Sequence, residues 1–522
     1  MKNLLTISLL LICATAFGQM GHAGRFEREY KWETDDFIVI SNEENGVLLV
    51  QSEYKVKDGG FPVHFTLLND KLELEWEETL DVAKDLFLKG FHYLDGKTFF
   101  LLQDRFNNHE VKIVIVDVVE KMIKEFEPKE LTEMVVTKFQ VIQNTAILGG
   151  YVEDRPVVFA YLLEDDKVNA LSNVYQNNSE VLDIHINEDG VTFNVLATEK
   201  DQKKDQTITV NTYDYEGNAI RDYTLVTKQD YQLLSGVSTS IYNKEQMVFG
   251  LYGVKFGASP SGFYVNHVSR SGLQNMRYIP FGEMDEFFKH EGEKRSERFK
   301  KKSLAEKNGG KPFRYKIDVL FEEIIEEEDR VLLLGEFYRP WNRSTADMRE
   351  LRRMDPAWYN RNAATINAGN RTRVEREMES TYDDYKFTHA YAISLGKNGQ
   401  IQWDKAFELD ENIDGELQSF GEFVLSNGEV YFAFYDDEEF TFQHLTANEE
   451  KEPQVEALNL MNENEELRNE DDDFRGITKW NDKYLVWGIQ SVKTLDPAEP
   501  NRKVFFINAV TVGPNFKPAD ID

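Results

Sequence analysis

Apolar runs rich in Val, Ile, Leu, Phe and Tyr recur along the chain, punctuated by Asn, Asp and Gly. Thr98–Gln103, Val111–Val118 and Val191–Ala197 are almost continuously apolar, as strands covered on both faces must be. Phe26–Glu33 instead alternates: Phe26, Arg28, Tyr30 and Trp32 fall on one side, Glu27, Glu29, Lys31 and Glu33 on the other. The repeating period is two, so the chain reads as all-β.

The turns between these runs are regularly spaced. Asn45-Gly46, Asp95-Gly96, Asn144, Asp189-Gly190, Asn243, Asp329, Asn427-Gly428 and Asn481-Asp482 each sit between two strand-like runs, the preferred setting of a hairpin turn. Successive intervals are 50, 48, 46, 53, 86, 99 and 54 residues. Five of the seven match a four-stranded propeller blade of roughly 40–50 residues, and the two long ones mark insertions. One strand precedes each turn, such as Leu86–Tyr93 or Val181–Asn187, and further strands follow it, such as Lys121–Glu127 and Ala219–Leu225. Four strands per unit and eight units predict an eight-bladed β-propeller of antiparallel blades, with seven blades as the alternative. The last unit supplies only three strands, Phe474–Trp480, Lys483–Gln490 and Lys503–Val512, before the chain ends. Pairing Phe26–Glu33 with it as a fourth strand closes the fold and removes an open sheet edge.

Trp32, Trp76 and Trp403 hold equivalent places in three units, and Phe126 holds a similar one. Asn398-Gly399-Gln400-Ile401-Gln402-Trp403 resembles the fourth-strand signature of exported bacterial β-propellers of the quinoprotein-repeat or WD40-like type. The resemblance extends over the repeat plan of the chain and implies the fold. It does not carry the redox chemistry of the quinone-dependent dehydrogenases, whose cofactor sits by a vicinal Cys pair.

The only cysteine is Cys13, inside the apolar run Leu4–Phe17 that follows Met1-Lys2-Asn3 and precedes the small-residue exit Ala16-Phe17-Gly18. Residues 1–18 read as a secretory signal peptide, leaving a single propeller domain at 19–522 without cysteine. Disulfides, Cys-ligated zinc and Cys nucleophiles are then excluded. The expected location is the periplasm or cell surface of a Gram-negative bacterium. No later segment is long and apolar enough to span a membrane as a helix.

Charge changes the picture locally. The chain carries 60 basic and 93 acidic residues, net −33, which argues against nucleic acid as a partner. Two segments run the other way. Lys289–Lys316, overlapping a basic insertion at 281–312 between blades 5 and 6, has 11 basic and 4 acidic residues. Arg339–Glu377, in an insertion at 339–384 within blade 6, has 9 Arg, no Lys and 5 acids. Strand parity puts both insertions on one rim, side by side. Ser344 and Asp347 predict a capped helix ending at Asp355-Pro356, with Arg349, Arg352 and Arg353 on one side. Together with Trp341, Trp358, Tyr359, Arg298, Lys301 and His389, these form the candidate ligand or partner site, suited to carboxylate, phosphate or sulfate groups. Acidic loops at 436–439 and 463–473 offer the competing reading, internal neutralisation of the insertions.

Catalytic signals are sparse. The nine His residues show no metal-ligand spacing, and no nucleophile elbow or phosphate-binding Gly loop occurs. His185 and His267 lie within strands and read as packed residues. No catalytic residue, metal or cofactor is assigned. The favoured function is an exported envelope binding or scaffolding protein that engages an envelope protein or anionic polysaccharide through the basic inserted face. A carbohydrate-active hydrolase or lyase with acids at the channel mouth is the alternative.

Overall fold

The chain is an eight-bladed β-propeller. A computed structural model describes residues 20–30, 35–53, 60–104, 110–153, 155–174, 179–200, 206–241, 244–255, 257–311, 313–341, 384–413, 417–426, 428–436, 438–447, 451–462, 464–494 and 501–512. The signal peptide expected at 1–18 lies outside them.

Each blade is a sheet in which neighbouring strands run antiparallel, and in every blade but the last they follow one another in sequence. Blade 2 is representative, with strands Leu86–Leu94, Lys97–Asp104, Val111–Asp117 and Met122–Phe126. Its first turn places Asp95 at φ 49° and Gly96 at φ 75°. Two successive residues with positive φ match the twist of a two-residue hairpin, and this is why Asp-Gly occurs there. The second and third strands, such as Lys97–Asp104 and Val111–Asp117 of blade 2, are largely buried on both faces and so read as mostly apolar runs. Fourth strands such as Leu74–Ala83 keep an exposed face and alternate.

Blade 5 departs from the simple plan. Its first strand is broken into Tyr231–Leu233 and Val237–Ser238, both pairing Gln246–Val254.

The described residues fall into two compact units. In the first, made essentially of blades 1, 7 and 8, Phe37, Leu49, Trp487 and Phe505 fill the space between blades 1 and 8. Blade 8 consists of Glu465–Trp480, Lys483–Thr494, Arg502–Val512 and, as its fourth strand, Met20–Glu29. The expected closure is present, but the strand starts six residues before Phe26 and ends at Glu29. Phe26 and Tyr30 pack onto the apolar core, and Arg28 donates to Gln51 (2.9 Å) and Glu77 (2.8 Å). The opposite side is also buried: Arg25 and Glu27 side chains are only 6% and 5% exposed and pair at 2.8 Å. Arg25 also donates to Gln490 (2.9 Å) and lies 4.7 Å over the Phe506 ring.

The second unit holds blades 2 to 6. Successive blades share apolar cores, for example Phe99, Ile113, Phe139 and Phe159 between blades 2 and 3. Blade 6 comprises Asp318–Glu326, Arg330–Trp341, Asp384–Gly396 and Ile401–Ile413. Trp403 sits in its fourth strand, as Trp76 does in blade 1.

Candidate functional site

The insertion between blades 5 and 6 leaves the strand Gln274–Pro280 through a short 3-10 turn, Phe281–Glu283. A second turn, Lys289–Glu291, leads into helix α1, Glu293–Leu304. The helix is fixed on one side. Ser303 is fully buried and its hydroxyl accepts the Gly282 N–H at 2.9 Å. A side chain at Gly282 would meet the Lys300 carbonyl at 2.6 Å, so the close approach requires glycine. Phe299 packs against Phe288, Phe313 and Tyr315, with ring centroids 5.4–5.8 Å away.

Beneath the helix the segment enters the core of blades 5 and 6. Phe281 stacks on Phe287 at 4.1 Å, and both join Phe263, Leu333, Phe337 and Tyr391. The polar anchor is Asp404, in the fourth strand of blade 6. Its carboxylate is buried and accepts from the Asp285 N–H (2.9 Å), the Glu286 N–H (2.8 Å) and the Tyr391 hydroxyl (2.6 Å). Lys405 adds an ion pair to Glu286 at 2.7 Å. An Asp404→Asn variant exchanges one acceptor oxygen for an amide that faces donors. It is expected to cost about 1–3 kcal/mol in chemical unfolding and to speed hydrogen exchange at Asp285 and Glu286; unchanged exchange there would refute the anchor.

Glu291 is the hub of the site. Its side chain is 4% exposed and accepts from the Tyr315 hydroxyl (2.5 Å) and Arg339 (2.6 Å), with Arg295 at 3.2 Å. Burial alone raises its pKa, but the Tyr315 and Arg339 donors outweigh it and hold the carboxyl below its usual range. Tyr315 is pushed upward by burial and by Glu291. Arg339 lies 4.9 Å over the Tyr315 ring, and the Tyr315 hydroxyl is 2.9 Å from His290 Nε2.

His389 lies in the blade-6 strand that returns from the second insertion. A register shift between Phe387 and His389 re-aims the chain there. The Thr388 hydroxyl donates to the Phe337 carbonyl (3.1 Å) and so accepts from His389 Nδ1 (2.9 Å). The His389 ring, fully buried, is held between His290 at 4.4 Å and Phe337 at 4.8 Å, both near-parallel. Its Nε2 has no hydrogen-bond partner. Burial, then the neighbouring His290 and Arg339, depresses its pKa well below the usual imidazole range. Burial and Arg339 take His290 down to about 4. Both rings are neutral at pH 7.

These contacts bring the two insertions together at their roots. Arg339 and His389 belong to the strands flanking the second insertion, and they touch Glu291, Tyr315 and His290 of the first. The paired stems run out to Trp341 opposite Asp384. Arg349, Arg352, Arg353, Trp358 and Tyr359 lie outside the described residues. Arg298 and Lys301 are exposed on helix α1. His389 does not join them, because it is an interior packing residue. Two cations of the first insertion pair with its own acids: Lys300 with Asp285 (3.0 Å) and Arg295 with Glu291 (3.2 Å). Lys294, Arg298, Lys301 and Lys302 are exposed and make no ion pair among the described residues. Sequence reasoning missed Asp404 and Glu291. Neither stands in a motif, and in so acidic a chain no composition signal separates them from the rest. No group of three His, Cys, Asp or Glu suited to a metal occurs among the described residues, and none of the described helices is long and apolar enough to cross a membrane.

No protein-family model matches the chain, and no curated protein does. Among solved structures, the β-propeller domain of the Trilobed protease from Pyrococcus furiosus matches at 10% identity. It covers 80% of this chain and 98% of that one, with a TM-score of 0.35. The Dos1 propeller matches at 9% identity over 83% of this chain and 94% of its own, TM-score 0.38. TolB from Acinetobacter baumannii matches at 10% identity over 76% of each chain, TM-score 0.28. The likeness is one of fold.

Proposed function

We propose that the protein is an exported binding or scaffolding β-propeller of the bacterial envelope, engaging an acidic protein or anionic polymer through its basic insertion. The observation that carries this reading is a helix fixed on one side by Phe299 and Ser303, with Lys294, Arg298, Lys301 and Lys302 on its exposed surface. Cations held on a rigid element and outside any ion pair among the described residues attract anions without a large ordering cost. The strongly acidic remainder makes that positive patch selective by contrast. Export rests on the leader sequence at 1–18.

The test uses mature protein taken from an envelope fraction, with Gln19 as its first residue. Reversing Lys294, Arg298, Lys301 and Lys302 to Glu is expected to weaken binding to polyanionic probes, poly-glutamate and dextran sulfate, at least tenfold at low salt. Equal binding by both forms would remove the insertion from the binding surface.

A further inference from the structure

The make-up of the exposed face of helix α1 distinguishes between classes of partner. At about 100° per residue, Lys294, Arg298 and Lys301 fall in a stripe roughly 60° wide, with axial steps of about 6 and 4.5 Å. Lys302 and Arg295 flank it on one side, and Glu297 and Glu293 on the other. Every fully exposed side chain from Glu293 to Lys302 is charged. The one large apolar residue of that span, Phe299, is turned into Phe288, Phe313 and Tyr315.

Protein partners anchor through desolvated aromatic or aliphatic side chains and use charge at the rim. This stripe offers only the equivalent of a rim. A linear polymer with regularly repeated anions and a hydrated backbone requires no apolar anchor and can follow a row of cations. The net −33 of the chain disfavours such a polymer over most of the remaining surface. Resting on the binding role proposed above, we infer that helix α1 is a docking stripe for a linear anionic polysaccharide, whose carboxylate or sulfate groups lie along Lys294, Arg298 and Lys301.

The experiment measures binding of the full mature chain to polygalacturonate, dextran sulfate and poly-L-glutamate across a series of NaCl concentrations. At least one polysaccharide is expected to bind more tightly than poly-L-glutamate, and the comparison of the two polysaccharides assigns the anion as carboxylate or sulfate. Log affinity is expected to fall against log salt with a slope of about 2–3, as release of two to three counterions requires. K294Q/R298Q/K301Q should lower affinity at least tenfold and remove about one unit of slope per cation. E293Q/E297Q, which thins the repulsive flank of the same helix, should raise affinity two- to threefold and shows that substitution here leaves the fold intact. Tighter binding of poly-L-glutamate than of either polysaccharide overturns the choice of partner and leaves the binding role standing. Polysaccharide binding that is indifferent to K294Q/R298Q/K301Q overturns the stripe. Failure to bind any of the three polyanions overturns both.

Discussion

Deleting the strand Met20–Glu29 is expected to abolish soluble, cooperative folding, and restoring the same ten residues after Val512 is expected to rescue it. The strand pairs with Arg502–Val512 from Met20↔Val512 to Glu29↔Val504. Without it that strand becomes an uncovered edge of eleven residues, a template for intermolecular pairing. The loss goes beyond backbone pairing. Arg502 bridges Glu27 (2.9 Å) and Glu465, whose side chain is 1% exposed, so removing Glu27 leaves a buried charge network incomplete. Phe26 is also lost from the core between blades 1 and 8. Because Met20 faces Val512, a short turn can join the two in a hairpin, and the permuted chain keeps the strand pairing of those ten residues. Expression yield and thermal unfolding of the deleted and permuted forms are the measurements. A deleted form that unfolds at the wild-type temperature would show that blade 8 is stable with three strands.

The second large effect is loss of stability between pH 6.5 and pH 4. His290 has a folded pKa of about 4 against an ordinary 6.5, and buried His389 is depressed as well. In that window the unfolded chain binds protons that the folded chain refuses, so stability is full above pH 6.5 and declines as pH falls. His290 alone contributes about 2 kcal/mol of destabilisation by pH 5. His22 is lowered by burial and Arg25 and acts in the same direction. Glu306 and Glu326 are raised by burial and act oppositely, since each takes up a proton in the folded state first. Glu291, with its lowered pKa, loses its contribution only below the ordinary carboxylate range. The charges facing the imidazole pair are Arg339, Glu291 and Arg295. Urea unfolding at pH 7 and pH 5 should therefore show a larger drop for the wild type than for H290F/H389F. Parallel drops would place the pH dependence elsewhere.

The blade count was legible because a hairpin turn demands residues that tolerate positive φ, and Asp95-Gly96 advertises that demand locally. The missing fourth strand of blade 8 was legible for a related reason: a three-stranded remainder and an unassigned strand complete one another. The start of that strand at Met20 was not, since Gly21, His22 and Gly24 have weak strand preference and are held by Arg502–Val512. The polar side of the strand was also misleading. Arg25 and Glu27 look solvated in an alternating pattern, yet tertiary packing buries both. Arg298 and Lys301 were singled out by charge, a local property, and both lie exposed on helix α1. The Glu291–Arg339 pair joins residues 48 positions apart, and Asp404 reaches Asp285 across 119. Such partners emerge only once the blades have placed them. His389 was singled out for its position beside an insertion, but a strand irregularity turned it inward against Phe337 and His290.

The bond between Gly21 and Thr511 spans 490 positions of chain. Blade 8 is therefore complete only once residues separated by that distance have met. Contacts of such separation are slow to form, so the strand Arg502–Val512 is the sheet edge expected to stay open longest during refolding.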